Sequence, residues 1–221
     1  MDSLKLFCSF YQDSYKKFTS QLRSYLGSYI AQVFIGFLAA IPWTMMGYES
    51  NSPTEMFMTL INVLLSLMVI VNVVLIEKAK MKGSEKESLM YATPTYLIYT
   101  LYTTIIILAG LFLLVVPGVI AAVLLAMVPL AAVLIDNDSV NYFKLSIKMA
   151  KSNPGIIVWF GIFSVLIEAP NFGLDFISNW NIKLLLKVVY TFIDSALLIL
   201  LTITSVRIFY HLKTKIGDLS S

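Results

Sequence analysis

Asp194 is the residue of this chain best placed to do unusual chemistry. It stands in the apolar run TFIDSALLIL, residues 191–200, with no charged neighbour along that run. A carboxylate at mid-membrane depth costs about 2.5–3.5 kcal/mol even on the milder insertion scales. A residue kept there at such a cost has one of two uses. It is a proton or cation site, or it is a protonated or hydrogen-bonded carboxyl that ties helices together. Asn62, Asn72 and Gln32 supply amide groups in other apolar stretches and are its candidate partners. No Lys or Arg lies deep enough in those stretches to neutralise it.

The remaining titratable groups point to no reaction. His211 is the only histidine and has no neighbouring Cys or acidic cluster in sequence, so no metal site is expected. Glu85 and Glu87 fall in a lysine-rich segment and read as a solvated face, and Glu168 as an interfacial carboxylate. There is no glycine loop for phosphate and no Gly-x-Ser-x-Gly nucleophile turn. The sequence therefore predicts no catalytic, cofactor-binding or metal-binding set and no nucleic-acid partner. A non-enzymatic protein is expected.

The elements that position Asp194 follow from composition. Of 221 residues, 58% are hydrophobic and 13% are charged. A soluble domain carries about 25% charged residues, so too few are present to coat a surface facing water. Apolar stretches cover about 28–48, 56–76, 95–135, 155–170 and 184–206. Four have the ordinary length for crossing a ~30 Å hydrocarbon core; the third, as one helix, would reach about 60 Å. Two helices, about 95–116 and 118–135, fit instead. The fold expected is a single-domain, all-α, polytopic bundle of six spans. Met1 is followed by residues rich in charge and hydroxyls, so the first span is expected to act as its own insertion signal.

Charge gives a separate test, because Lys and Arg accumulate in cytoplasmic loops. With six spans and a cytoplasmic N-terminus, 14 of the 16 basic residues fall inside; only Lys183 and Lys187 fall outside. A single crossing at 95–135 would leave 10 inside and 6 outside. Six spans with both termini cytoplasmic is preferred. Pro117 disfavours helix at Val116 and can equally occupy the first turn of the next helix, while Gly118 allows close backbone approach. The competing reading is a proline kink inside one tilted helix. The turn should lie near the outer interface, where irregular backbone is paired.

Gly118, Ala122 and Ala126 form a ridge of small residues, and Gly36, Ala40 and Thr44 another, so the fourth and first spans are expected to pack together. Pro129 should bend the fourth span and open carbonyls that need a partner.

Two segments outside the spans are amphipathic. Leu4, Phe7, Tyr11, Tyr15, Phe18, Leu22 and Leu26 form one helical stripe within residues 1–27, with Lys16, Lys17 and Arg23 largely off it. That describes a helix on the membrane surface, its lysines on anionic headgroups, or one docked on a partner protein. A second helix is predicted before Asn153-Pro154-Gly155, capped by Asp138 or Ser139. Val140, Phe143, Ile147 and Ala150 would share its apolar face, with Lys144, Lys148 and Lys151 towards headgroups. Residues 171–183 are expected to lie flat on the outer face. Cys8, the only cysteine, excludes an internal disulfide and reads as a free thiol or, less simply, a lipidated one.

The segment LLVVPGVIAAVLLAMVPLAAVLIDND, followed by FKLSIKMAKSNPGIIV, resembles the YciC-like family of bacterial inner-membrane proteins. More distantly it is similar to the membrane domain of some glycerophosphodiester phosphodiesterases. The similarity is concentrated in residues 111–160; FYQDSYKKF before the first span also fits, and the first external loop, about 48–55, is short for the family. The resemblance implies a multi-pass protein of the bacterial inner membrane and supplies no catalytic residues. The partners expected are the bilayer, with anionic lipid at its cytoplasmic face, and a membrane protein or a second copy of the chain. The roles weighed are an organiser of lipid or partner proteins, a small transporter using Asp194 and the Pro129 bend, and third a membrane-embedded lipid enzyme, for which no set of nucleophile, base and metal ligands is visible.

Overall fold

A computed structural model describes residues 3–40, 53–83, 87–113, 115–136, 140–174 and 180–216. Among these residues the regular structure is entirely helical: α1 (Ser3–Ser20), α2 (Leu22–Ala40), α3 (Pro53–Lys82), α4 (Leu89–Leu113), α5 (Val115–Leu125), α6 (Val128–Leu134), α7 (Tyr142–Ser152), α8 (Pro154–Leu174) and α9 (Trp180–Ile216). Four runs are long and apolar enough to cross a membrane: 56–82, 89–113, 115–134 and 182–216. The joined α7 and α8, bent by 99°, would make a fifth. Six were expected; the first of those, 28–48, and Thr44 with it, extends beyond the described residues.

The long apolar stretch is two helices. α4 ends at Leu113 and α5 begins at Val115, which puts Pro117 in the first turn of α5. The chain doubles back there. A Cβ on Gly110 would lie 2.9 Å from the Gly118 Cα, and one on Gly118 would collide with Leu111. The lack of side chains lets the two backbones meet just below the turn. Phe112, at 90% exposed, marks how far this hairpin tip stands clear of the rest.

The first residues of the two small-residue ridges, Gly36 and Gly118, face helices other than each other's. Gly36 of α2 faces α9, where an added Cβ would meet the Thr191 Cγ2 at 2.5 Å. Gly118 faces α4. Each of these two glycines thus meets an antiparallel neighbour.

Side-chain pairs fix the directions. Tyr25 meets Glu77, Ser28 meets Asn72 and Gln32 meets Ser66, so α2 and α3 run antiparallel. Tyr25 also clusters with Ile199, Leu200 and Ile203, while Gly36 meets Thr191, so α2 and α9 run antiparallel too. The larger core joins Phe7, Val74, Leu75, Met127, Leu130, Leu134, Met149, Ile156, Phe209 and Leu212. It fills the end of the bundle where α1 and α7 lie across α8 and α9.

Several elements outrun their apolar stretches. α3 continues to Lys82, six residues beyond position 76. α9 has 37 residues, about 55 Å at ~1.5 Å rise each, so it extends well past a ~30 Å core. The segment 171–183 is also not one flat external piece. Its first four residues complete α8, its last four begin α9, and only 175–179 lie outside the described residues.

Candidate functional site

The extra turns of α3 carry the charged groups that organise one end of the bundle. Val69, Val73 and Glu77 recur at four-residue spacing and are all buried, Glu77 completely. A carboxylate so enclosed requires partners. Lys17 of α1 supplies one at 2.8 Å from Oε2, and the Tyr25 hydroxyl donates to Oε1. Lys80 lies 4.1 Å from the Tyr25 ring centroid, donates to its hydroxyl at 3.1 Å and donates to the Gln21 Oε1 at 2.8 Å. The α1–α2 joint is thereby pinned to α3.

The opposite flank of α3 holds Lys78. It is 3% exposed, donates to the Val133 carbonyl at 2.7 Å and pairs with Glu87 at 2.6 Å and Asp136 at 2.5 Å. Lys82 also pairs with Asp136. Partial burial raises the Asp136 pKa, but the hydrogen bonds and charges of Lys78 and Lys82 outweigh it and hold the carboxyl below its usual value. This cluster ties the end of α3 to the start of α4 and the end of α6. Sequence reading ended this apolar stretch near 76, short of Lys78, Lys80 and Lys82, and did not single out Glu77. The available signal was the continuation of the α3 inward spacing beyond its last apolar residue.

At Pro129, where a bend is expected, the helix is interrupted just before the proline. α5 stops at Leu125, α6 starts at Val128, and Pro129 sits in the first turn of α6. The partner for the opened backbone is Ser146 of α7. Its hydroxyl donates to the Leu124 carbonyl at 2.7 Å and accepts from the Met127 N–H at 3.2 Å, fully buried. One side chain thus satisfies both an acceptor and a donor at the break.

α7 docks through Leu145, Ser146, Met149 and Ala150. The predicted face of Val140, Phe143, Ile147 and Ala150 is displaced around the helix; Val140 lies before it, and Phe143 and Ile147 are only half-buried. Ser146 draws the inward face towards itself by bonding the break. The N-cap is Asn141, whose side chain accepts from the Lys144 N–H at 3.0 Å, while Asp138 and Ser139 lie outside the described residues. Lys144, Lys148 and Lys151 are exposed. On α1 the stripe divides. Phe7 and Phe18 are buried and Tyr15 is 54% exposed, while on α2 Leu22 and Leu26 are exposed and Tyr25 is buried instead. Lys16 and Arg23 are exposed, but Lys17 turns inward to Glu77.

Asp194 is partly buried on α9 and takes part in a polar interaction. Two of the amides expected near it, Asn72 and Gln32, make hydrogen bonds between α2 and α3. The Asn72 amide donates to the Ser28 hydroxyl at 2.7 Å, and the Gln32 amide donates to the Ser66 hydroxyl at 3.3 Å. Gln32 is one turn from Gly36, just as Asp194 is about one turn from Thr191, so the two lie at similar height. The buried Gln32 Oε1 has no hydrogen-bond partner. Asn62 is half-buried on α3.

His211 packs edge-on to Phe10 at 5.1 Å, and among the described residues no three His, Cys, Asp or Glu side chains converge. No protein-family model, curated protein or solved structure matches the chain.

Proposed function

We propose that this chain is a non-enzymatic, multi-pass protein of the bacterial inner membrane that organises anionic lipid, and through it membrane partners, at its cytoplasmic face. It has six spans and cytoplasmic termini. α2, α3, α4, α5–α6, α8 and α9 are the spans, and α1 and α7 lie across their cytoplasmic ends. The 14-to-2 division of basic residues supports that orientation, as does the meeting of α1, α7 and the end of α9. The similarity to the YciC-like family supports the envelope setting.

One observation carries the role. α7 is fastened to the core by Leu145, Ser146 and Met149, leaving Lys144, Lys148 and Lys151 exposed on a fixed surface. Each such cation near an anionic leaflet contributes about 1 kcal/mol of attraction. A lysine row on a fixed helix gathers headgroups at set spacings.

The test is reconstitution into nanodiscs of mixed phosphatidylcholine and phosphatidylglycerol. The parent enriches phosphatidylglycerol in its lipid shell, and the Lys144→Gln/Lys148→Gln/Lys151→Gln variant loses much of that enrichment. Equal enrichment in both proteins contradicts the role.

A second reading, a small transporter, is favoured by the unpartnered Gln32 Oε1 at the height of Asp194. Against it, Ser146 occupies the Pro129 break that such a mechanism would use. Proton or cation flux into liposomes that Asp194→Asn abolishes would favour transport.

A further inference from the structure

α1 and α8 border an open groove of about 260 Å³ lined by Phe7, Cys8, Tyr11, Gln12, Tyr15 and Phe163. Its floor is aromatic. The Phe7 and Phe163 rings lie 4.7 Å apart and those of Tyr11 and Phe163 6.0 Å apart. Pockets for drug-sized ligands occupy roughly 300–1,000 Å³ and combine apolar walls with convergent polar groups. This one is smaller and its walls are mainly aromatic, which suits a flexible hydrocarbon chain.

Charge identifies the rest of the ligand. Cys8, Gln12 and Tyr15 share one face of α1 at i, i+4 and i+7. Lys5, three residues before Cys8, and Lys16, four after Gln12, flank that face on the same side, and both are exposed. Asp13 lies further round the helix. Long lysine stems can follow the apolar wall while their ammonium groups reach the headgroup layer. An apolar slot with cations along one flank complements a chain bearing an anionic head.

We propose that this groove holds one acyl chain of an anionic bilayer phospholipid, with its phosphate in the field of Lys5 and Lys16. The proposal rests on the lipid-organising reading and adds a specific site to it. In that arrangement α1 is a lipid-reading element, and the Lys17–Glu77 pair holds it in position.

Cys8 is a built-in reporter because it lines the groove and is the sole thiol of the chain. The full-length protein, delipidated in detergent, is alkylated with a maleimide with and without added phospholipid. Each variant is compared with itself, since Lys5 also influences thiol reactivity. Phosphatidylglycerol is expected to slow alkylation several-fold, whereas phosphatidylcholine has little effect. Lys5→Gln/Lys16→Gln abolishes that protection, and the triple α7 variant keeps it. Equal protection by the two lipids, or protection indifferent to Lys5 and Lys16, overturns the site. Loss of shell enrichment in the α7 variant without any Cys8 protection would retain the broader role and refute this groove. Cys8 protection with enrichment indifferent to the α7 lysines would retain the groove and refute the α7 role.

Discussion

The Ser146 hydroxyl donates to the Leu124 carbonyl at 2.7 Å, where the helix leading to Pro129 is broken. It also accepts from the Met127 N–H, so this buried hydroxyl replaces helical bonding on both sides of the gap. A proline break inside an apolar bundle is tolerable only if its backbone groups find such substitutes. α7 is therefore part of the structure of the α5–α6 break as well as a carrier of lysines.

Replacing Ser146 with Ala leaves the Leu124 carbonyl and Met127 N–H buried and unsatisfied. The expected cost is about 1–3 kcal/mol, read from denaturant unfolding in mixed micelles. It should appear with loosened α7, detectable as faster amide exchange at Leu145 and Met149. A stability within about 0.3 kcal/mol of the parent, inside the neutral range for surface changes, would show that the hydroxyl is dispensable.

Lys17→Met removes the ion-pair partner of a completely buried carboxylate. Breaking buried pairs costs about 3–5 kcal/mol; Tyr25, still bonded to Glu77, places this variant at the lower end. Lys17→Met/Glu77→Leu should cost less than the two single changes together, by about 0.5–3 kcal/mol. Strictly additive losses would mean that the two groups are not energetically coupled.

The backbone approach of α4 and α5 predicts a contrast between glycines. Gly110→Ala puts a methyl group 2.9 Å from the Gly118 Cα and should destabilise by about 1–3 kcal/mol through overpacking. Gly161→Ala has nothing within 4 Å and should be neutral or slightly stabilising. Similar values for the two would refute the tight hairpin.

Asp136 gives a pH dependence of definite sign. Its folded pKa is below the unfolded value of about 3.9. The stability it adds is present above that value and disappears as pH falls through the lower folded pKa. The thermal midpoints of the parent and Asp136→Asn should differ by a constant amount near neutrality and converge in the acid range below about 3.9. A gap that persists in strong acid would assign the Asp136 contribution to something other than its charge.

Legibility in the sequence followed the physics of each feature. The division of 95–135 was readable because length alone forbids one helix, and the Pro129 break because proline disrupts helix bonding whatever surrounds it. Ser146 was not readable. A serine between lysines in an amphipathic helix looks solvated until the broken helix beside it is known. Glu77 was hidden similarly, beside three lysines just beyond an apolar run; only the Val69–Val73–Glu77 spacing hinted that α3 continued inward. The α1 stripe was visible, but a stripe does not say whether lipid or protein covers it. Lys17 and Phe7 turn to protein, and Tyr15 remains open.

Lipid capture, span number and the role of α7 all depend on the basic end of the bundle facing the cytoplasm. The direct measurement places single cysteines at Lys148→Cys and Lys183→Cys, each in a Cys8→Ser background, and labels right-side-out and inverted membrane vesicles with a membrane-impermeant maleimide. Position 148 is predicted to label only in inverted vesicles and position 183 only in right-side-out ones. Labelling of both positions from the same side, or of 148 from outside, would contradict the account.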